Sequence, residues 1–202
     1  MHNRSHTTLA WALGLVMVAV FSLAFISGCS SPDDSAASGT TTVLGSLPVA
    51  RSALSTTAPD AKLLLVQTAT SATPTSSPVW AYLFGSPSTD VIYLVYAADG
   101  SVMSTQEYGT AGLTAEQWAE VPEDIAWAID SDEAYTNALE VSGAEGDPAA
   151  YMMGIMSYKA ADDTSTVEPN VWNVWYDPGT SGATTSLILV DAESGDASIS
   201  EE

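Results

Sequence analysis

The chain has 202 residues, and its 25 acidic side chains outnumber its four basic ones to give a formal net charge of −21 at pH 7. Such a charge repels phosphate backbones and anionic lipid headgroups, which argues against nucleic-acid binding and against polybasic contact with a membrane. Cationic partners and divalent cations remain candidates. The same acidity is typical of proteins adapted to a salty medium, where it indicates no particular partner.

The amino-terminal segment has the residue order of an export signal. Arg4 and two histidines precede an apolar run that extends from Leu9 to Ile26 without a charged residue. A transmembrane anchor is the alternative interpretation, since the run approaches the length of a membrane span. Either interpretation places the rest of the chain outside the membrane.

The apolar run ends at Ile26-Ser27-Gly28-Cys29, which contains the only cysteine of the sequence. This segment resembles the lipobox of bacterial lipoproteins, in which a branched apolar residue and two small residues precede the lipid-accepting cysteine. The resemblance implies that residues 1–29 are a lipoprotein signal peptide and that Cys29 is lipidated. It also implies that the chain belongs to the cell envelope, held at the membrane by its lipid and facing outward.

The residue inventory beyond residue 29 excludes most catalytic sites. Both histidines lie before that point, so Ser-His, Cys-His and His-metal arrangements lack the side chains they need. Disulfide bonds are excluded as well, and stability must come from a packed core. We therefore predict a protein that is not an enzyme, with carboxylate-dependent hydrolysis as the remaining catalytic alternative.

The sequence beyond the signal divides into a polar tether and two copies of one pattern. Residues 30–43 are rich in Ser, Thr, Asp, Ala, Gly and Pro and predict a flexible tether. Residues 44–109 and 125–202 each predict one helix and three strands, and residues 110–124 predict a linker with a short helix. The predicted fold is therefore α+β, with two tandem helix-plus-antiparallel-sheet units of order helix-strand-strand-strand, preceded by a signal helix and a disordered tether.

The two copies match element by element. Their helices begin near Ser46 and Ser131, each followed by apolar residues at helical spacing. Asp99-Gly100 and Ser194-Gly195 predict tight turns after the third strand of each copy. The predicted strands are Lys62–Thr68, Val79–Phe84 and Val91–Tyr96 in the first copy, and Tyr151–Tyr158, Val171–Tyr176 and Ser186–Asp191 in the second.

The second copy resembles the PepSY-type domains of secreted and membrane-bound bacterial proteins. The matching residues are the helix start Ile129–Ala134, the aromatic strand Val171–Val174 and the closing segment Val190–Asp196. Val95–Gly100 is a shortened version of that ending in the first copy. The resemblance implies a PepSY/cystatin-like fold and a function in binding, sometimes in restraining peptidases, and not in chemistry.

Acidic residues at the second helix start form the one candidate metal site. Asp130, Asp132 and Glu133 lie close together and offer oxygen ligands that suit calcium. The same residues are expected at a helix start for another reason, because carboxylates there complement the helix dipole and Asp130 with Glu133 fits a capping box. Calcium is the one candidate cofactor, and the capping interpretation, which needs no cofactor, is favoured.

Aromatic residues on the middle strands form the candidate partner-binding surface. Alternation predicts that Trp80 and Trp172 are core residues, whereas Trp175, Tyr176 and Tyr82 are the predicted contacts for a protein or peptide. The alternative interpretation, which is favoured, is that all five side chains serve only in packing. The favoured function is a non-enzymatic surface lipoprotein that binds an envelope protein or peptide, and regulation of a peptidase is one form that this binding can take. A calcium-responsive or cation-responsive acidic surface protein is the alternative, and a carboxylate-dependent hydrolase is the least favoured.

Overall fold

The computed structural model describes residues 41–73, 78–142, 150–161, 163, 165–177 and 186–200. The helices in these ranges are α1 (Val43–Leu54), α2 (Ala115–Glu120) and α3 (Ser131–Ser142). The strands are β1 (Lys62–Thr68), β2 (Trp80–Ser86), β3 (Val91–Ala98), β4 (Ser101–Thr110), β5 (Ala150–Met156), β6 (Val171–Asp177), β7 (Ser186–Asp191) and β8 (Ala197–Ile199). The predicted signal helix and most of the predicted tether lie outside the described residues.

All eight strands belong to one antiparallel sheet in the order β4-β3-β2-β1-β5-β6-β7-β8. The two halves of the chain join in its centre, where β1 pairs with β5 and Val66 lies opposite Ile155. The prediction of two tandem helix-plus-antiparallel-sheet units is therefore wrong. The fold is mostly β, with one eight-stranded sheet and a few helices. The physical reason is that two separate sheets would each leave an inner edge of unpaired backbone groups, and the β1–β5 pairing removes both edges.

The two long helices pack against the same side of this sheet, here called the helix side. α1 lies over β2, β3 and β4, and α3 lies over β6, β7 and β8. The core between helices and sheet includes Trp80 and Trp172, which are 1% and 0% exposed, as alternation predicts. The Asp99-Gly100 turn is also confirmed, because both residues have positive φ angles, of 50° and 68°.

The opposite, outer side of the sheet is closed in the first half of the chain by α2. Thr114 caps this helix and forms a capping box with Gln117. Trp118 of α2 is buried in an apolar cluster with side chains of β1, β2 and β3. Gly85 permits this contact, because a Cβ at that position would overlap the Trp118 ring.

Candidate functional site

The predicted cation site lies where the amino-terminal ends of α1 and α3 meet. The Asp130 carboxylate accepts hydrogen bonds from the backbone amides of Leu44, at 3.1 Å, and Ser131, at 2.6 Å. The Ser131 hydroxyl accepts a bond from the Val43 amide at 3.1 Å. Asp130 and Ser131 thus satisfy amides of the first turn of α1, which otherwise have no partner within their own helix.

This contact places one carboxylate between the positive ends of two helix dipoles. Asp130 therefore has a structural role. It does not form the predicted capping box with Glu133, and its carboxylate instead accepts from an amide of α1 in the other half of the chain. Asp132 and Glu133 are exposed beside it. The described residues contain no group of three His, Cys, Asp or Glu side chains arranged to hold a metal ion. Calcium binding stays a prediction for experiment.

Tyr82 shows how closely this junction is packed. Its side chain is 0% exposed, and its hydroxyl donates to the Val43 carbonyl at 2.8 Å. Burial raises the pKa of Tyr82 well above its usual range, and the nearby Asp130 charge adds to the rise. The buried phenol therefore stays a hydrogen-bond donor to a higher pH than an exposed tyrosine does.

An Asp130→Ala variant is expected to lose about 2 kcal/mol of unfolding free energy, because amides of both helices lose their acceptor. The matched control is Asp132→Ala, which removes an exposed carboxylate from the same helical turn. This change is expected to cost under about 0.5 kcal/mol of unfolding free energy. Urea denaturation followed by circular dichroism measures both values. Equal losses in the two variants would show that Asp130 contributes only its charge.

Two of the three predicted aromatic contacts belong to the helix-side core. Tyr82 is fully buried, and Tyr176 is 5% exposed with its hydroxyl donating to the Tyr135 carbonyl at 3.0 Å. The prediction that these two side chains are offered to a partner does not fit their burial. Alternation explains the placement, since Tyr176 follows Trp175 and must point to the other side of the sheet.

Trp175 is partly exposed on the outer side of the sheet. Its neighbours in register are Met152 on β5 and Leu187 on β7, and Leu189 lies one row further along β7. These four residues are all partly exposed and are here called the outer patch. None of them belongs to either of the apolar clusters that the described residues form.

The contrast between the two halves makes the outer patch unusual. In the first half, α2 and Trp118 shield the corresponding side of β1, β2 and β3. No described helix does the same over the outer patch. An aromatic side chain flanked by apolar side chains on a rigid strand suits a protein or peptide contact, because such anchors dominate interface energies.

The basic side chains of the described residues are engaged in ion pairs. Arg51 lies 3.4 Å from Asp124, Lys62 lies 2.8 Å from Glu123, and Lys159 lies 2.8 Å from Glu168. With three basic against 25 acidic residues beyond residue 29, the formal charge of that part of the chain is −22. A partner that approaches this protein therefore meets a strongly negative potential.

No family model matches this chain, and no curated protein matches it. Among solved structures, the fold is similar to that of a protein from Clostridium difficile 630 described as a "putative lipoprotein", with a TM-score of 0.52. The two sequences are 11% identical, and the likeness covers 81% of this chain and 94% of that one. At this identity the likeness shows a shared fold. The PepSY resemblance has no matching family model to support it.

The helices that the structure describes include none with the length and apolar character needed to cross a membrane.

Proposed function

We propose that this chain is a lipid-anchored protein of the cell envelope that binds a protein or peptide partner through the outer patch and performs no catalysis. The observation that carries the proposal is the partly exposed Trp175, which lies between Met152 and Leu187 on the outer side of the second half of the sheet, a surface that no described helix covers. Peptidase regulation, which the PepSY resemblance implies, is one use of such binding.

Two observations support the lipid anchor. The segment Ile26-Ser27-Gly28-Cys29 has the residue order of a lipobox and follows an uncharged apolar run. The Clostridium difficile protein with the similar fold is itself described as a "putative lipoprotein". A lipid on Cys29 would hold the folded domain at the membrane surface, where an envelope protein could reach the outer patch.

The described carboxyl groups support a binding role over hydrolysis. A general acid needs a carboxyl pKa raised toward neutrality. Three carboxyl groups of the described residues, those of Asp60, Glu116 and Asp191, have a pKa shifted in the other direction. Burial opposes ionisation of Asp60, but hydrogen bonds from Ser86 and Ser88 prevail and lower its pKa. Backbone hydrogen bonds likewise lower the pKa of Glu116 and of Asp191.

Charge determines which partner the outer patch suits. The residues beyond 29 have a net charge of −22, so an apolar anchor site on this part of the chain favours a partner whose apolar residues are surrounded by a basic surface. Association with such a partner is expected to slow as salt is added, because screening shortens the range of the attraction. Apolar contacts at Trp175 would then govern how slowly the complex dissociates.

The binding claim is tested by replacing Trp175. The intact protein and its Trp175→Ala variant are each used to capture partners from envelope extract, and the dissociation constant of the identified partner is then measured. The variant is expected to lose about 2 kcal/mol of binding free energy, roughly a 30-fold loss of affinity. The matched control is Ile199→Ala, which removes an apolar side chain that is 51% exposed on β8. Equal affinity of both variants for the partner would refute the assignment of the outer patch.

The anchor claim is tested separately with a Cys29→Ser variant. Cells are fed radiolabelled fatty acid, and the label and membrane fraction of the protein are compared with those of a Ser31→Ala control. Loss of label and of membrane retention in the cysteine variant alone is the expected result. A variant that stays in the membrane fraction would favour a transmembrane anchor instead.

A further inference from the structure

One edge of the sheet is a long strand with a free side. β4 spans ten residues and is the outermost strand in the sheet order, and among the described residues it pairs only with β3. The other edge strand, β8, has three residues. Backbone N–H and C=O groups on the free side of an edge strand can pair with an added strand.

β4 lacks most of the residues that discourage such pairing. Proteins commonly protect edges with lysine, proline or several charges. β4 has no lysine and no proline, and Glu107 is its one charged residue. Its side chains are mostly exposed, although α1 lies over its helix side and Val102 packs against the core.

Two β-bulges in β4 flank a short segment that pairs regularly with β3. The β3–β4 register skips Met103 and Tyr108, which are therefore the extra residues of two β-bulges. These side chains are 64% and 43% exposed, the largest apolar exposures on β4. Bulges disrupt a ladder and turn their side chains in new directions. Between them, Ser104 to Glu107 pair regularly with Tyr96 to Tyr93.

We infer that the free edge of β4 binds an extended, positively charged segment of another protein as a ninth strand across Ser104–Glu107, with Met103 and Tyr108 contacting its apolar side chains. Charge selects this occupant. Two copies of a domain of charge −22 repel each other, whereas a basic segment is attracted to the same edge. Backbone pairing supplies affinity at this edge, and the bulged side chains limit the register.

The test uses the full chain purified in detergent and a short labelled peptide of alternating threonine and valine with lysines at both ends. Hydrogen exchange of the backbone amides is followed by mass spectrometry. Peptide binding is expected to slow exchange in residues 101–110 by about tenfold or more. A peptide with glutamates in place of the lysines is expected to leave exchange unchanged.

Variants then locate the contact. A Met103→Ser, Tyr108→Ser double variant alters only exposed side chains and is expected to weaken peptide binding about tenfold. Ile199→Ser on β8 is the matched control and keeps full affinity, as does Trp175→Ala, which separates this site from the outer patch. Successive backbone N–H groups of a strand point to opposite edges of that strand, so Ser104→Pro and Thr105→Pro are compared. The variant that loses the N–H group on the free edge is expected to keep its melting temperature and to abolish peptide binding.

Three outcomes would overturn the inference. The first is no protection of β4 by the lysine peptide. The second is binding that depends on Trp175 and not on Met103 and Tyr108. The third is a dimer in sedimentation experiments whose β4 amides are protected without any peptide, which would make a second copy the occupant.

Discussion

A Gly154→Val variant is expected to lose about 3 kcal/mol of unfolding free energy, because it places a branched side chain at the joint between the two halves of the sheet. Gly154 of β5 lies opposite Gln67 of β1. A Cβ at this position would lie 3.0 Å from the Val66 carbonyl oxygen and 3.1 Å from the Gln67 Cβ. The backbone atom cannot move without weakening the β1–β5 pairing. Urea denaturation measures the loss.

The matched control for this variant is Ser101→Val, which introduces valine at an exposed position of β4 and is expected to change stability by less than about 0.5 kcal/mol. If the two halves formed separate sheets, Gly154 would lie on an open strand and valine would be tolerated there. A Gly154→Val protein as stable as the control would therefore contradict the single eight-stranded sheet.

A Lys62→Met variant is expected to lose about 3 kcal/mol, because the Lys62 ammonium fixes the end of α2. Its Nζ atom donates to the carbonyl oxygens of Trp118, at 3.1 Å, and Val121, at 3.0 Å. Methionine keeps the length of the side chain but leaves both carbonyls without this donor. We expect Trp118 to become accessible to acrylamide, so fluorescence quenching and denaturation together measure the effect.

The control for Lys62 separates the ion pair from the carbonyl contacts. Glu123→Gln removes the charge that lies 2.8 Å from the Lys62 Nζ atom but leaves the carbonyl bonds intact. Because Glu123 is 80% exposed, this change is expected to cost under about 1 kcal/mol. A similar loss in both variants would mean that the ion pair, and not the anchoring of α2, stabilises this region.

Local features of the fold were predictable from local sequence. The Ser186–Asp191 strand, the Asp99-Gly100 turn and the short helix within residues 110–124 all agree with the structure, because periodicity and turn residues act within a few residues. The burial of Trp80 and Trp172 follows from alternation in the same way.

Contacts between distant residues were not predictable in this way. The β1–β5 pairing joins residues about 90 positions apart, and no local pattern states which strand edges will meet. β4 is polar and exposed, so it has little of the apolar alternation that indicates a strand. Both omissions led to the wrong prediction of two separate units.

In the candidate site, too, local features were predictable and contacts between distant residues were not. Asp130 and Ser131 are recognisable as a helix start, but their donors in Val43 and Leu44 come from the other half of the chain. The pair Trp175 and Tyr176 cannot share one side of a strand, and the position of α3 decides that Tyr176 is the buried member. Lys62 carries no sequence signal for its role, because its carbonyl partners are more than 50 residues away.

The most direct test of the binding proposal is photo-crosslinking in intact cells. A photoreactive phenylalanine analogue replaces Leu187 of the outer patch in one strain and Ile199 of β8 in another. The proposal predicts that the analogue at Leu187 captures one envelope protein, that Trp175→Ala abolishes this product, and that the analogue at Ile199 does not form it. A product formed only from Ile199, or one from Leu187 that persists without Trp175, would contradict binding through the outer patch.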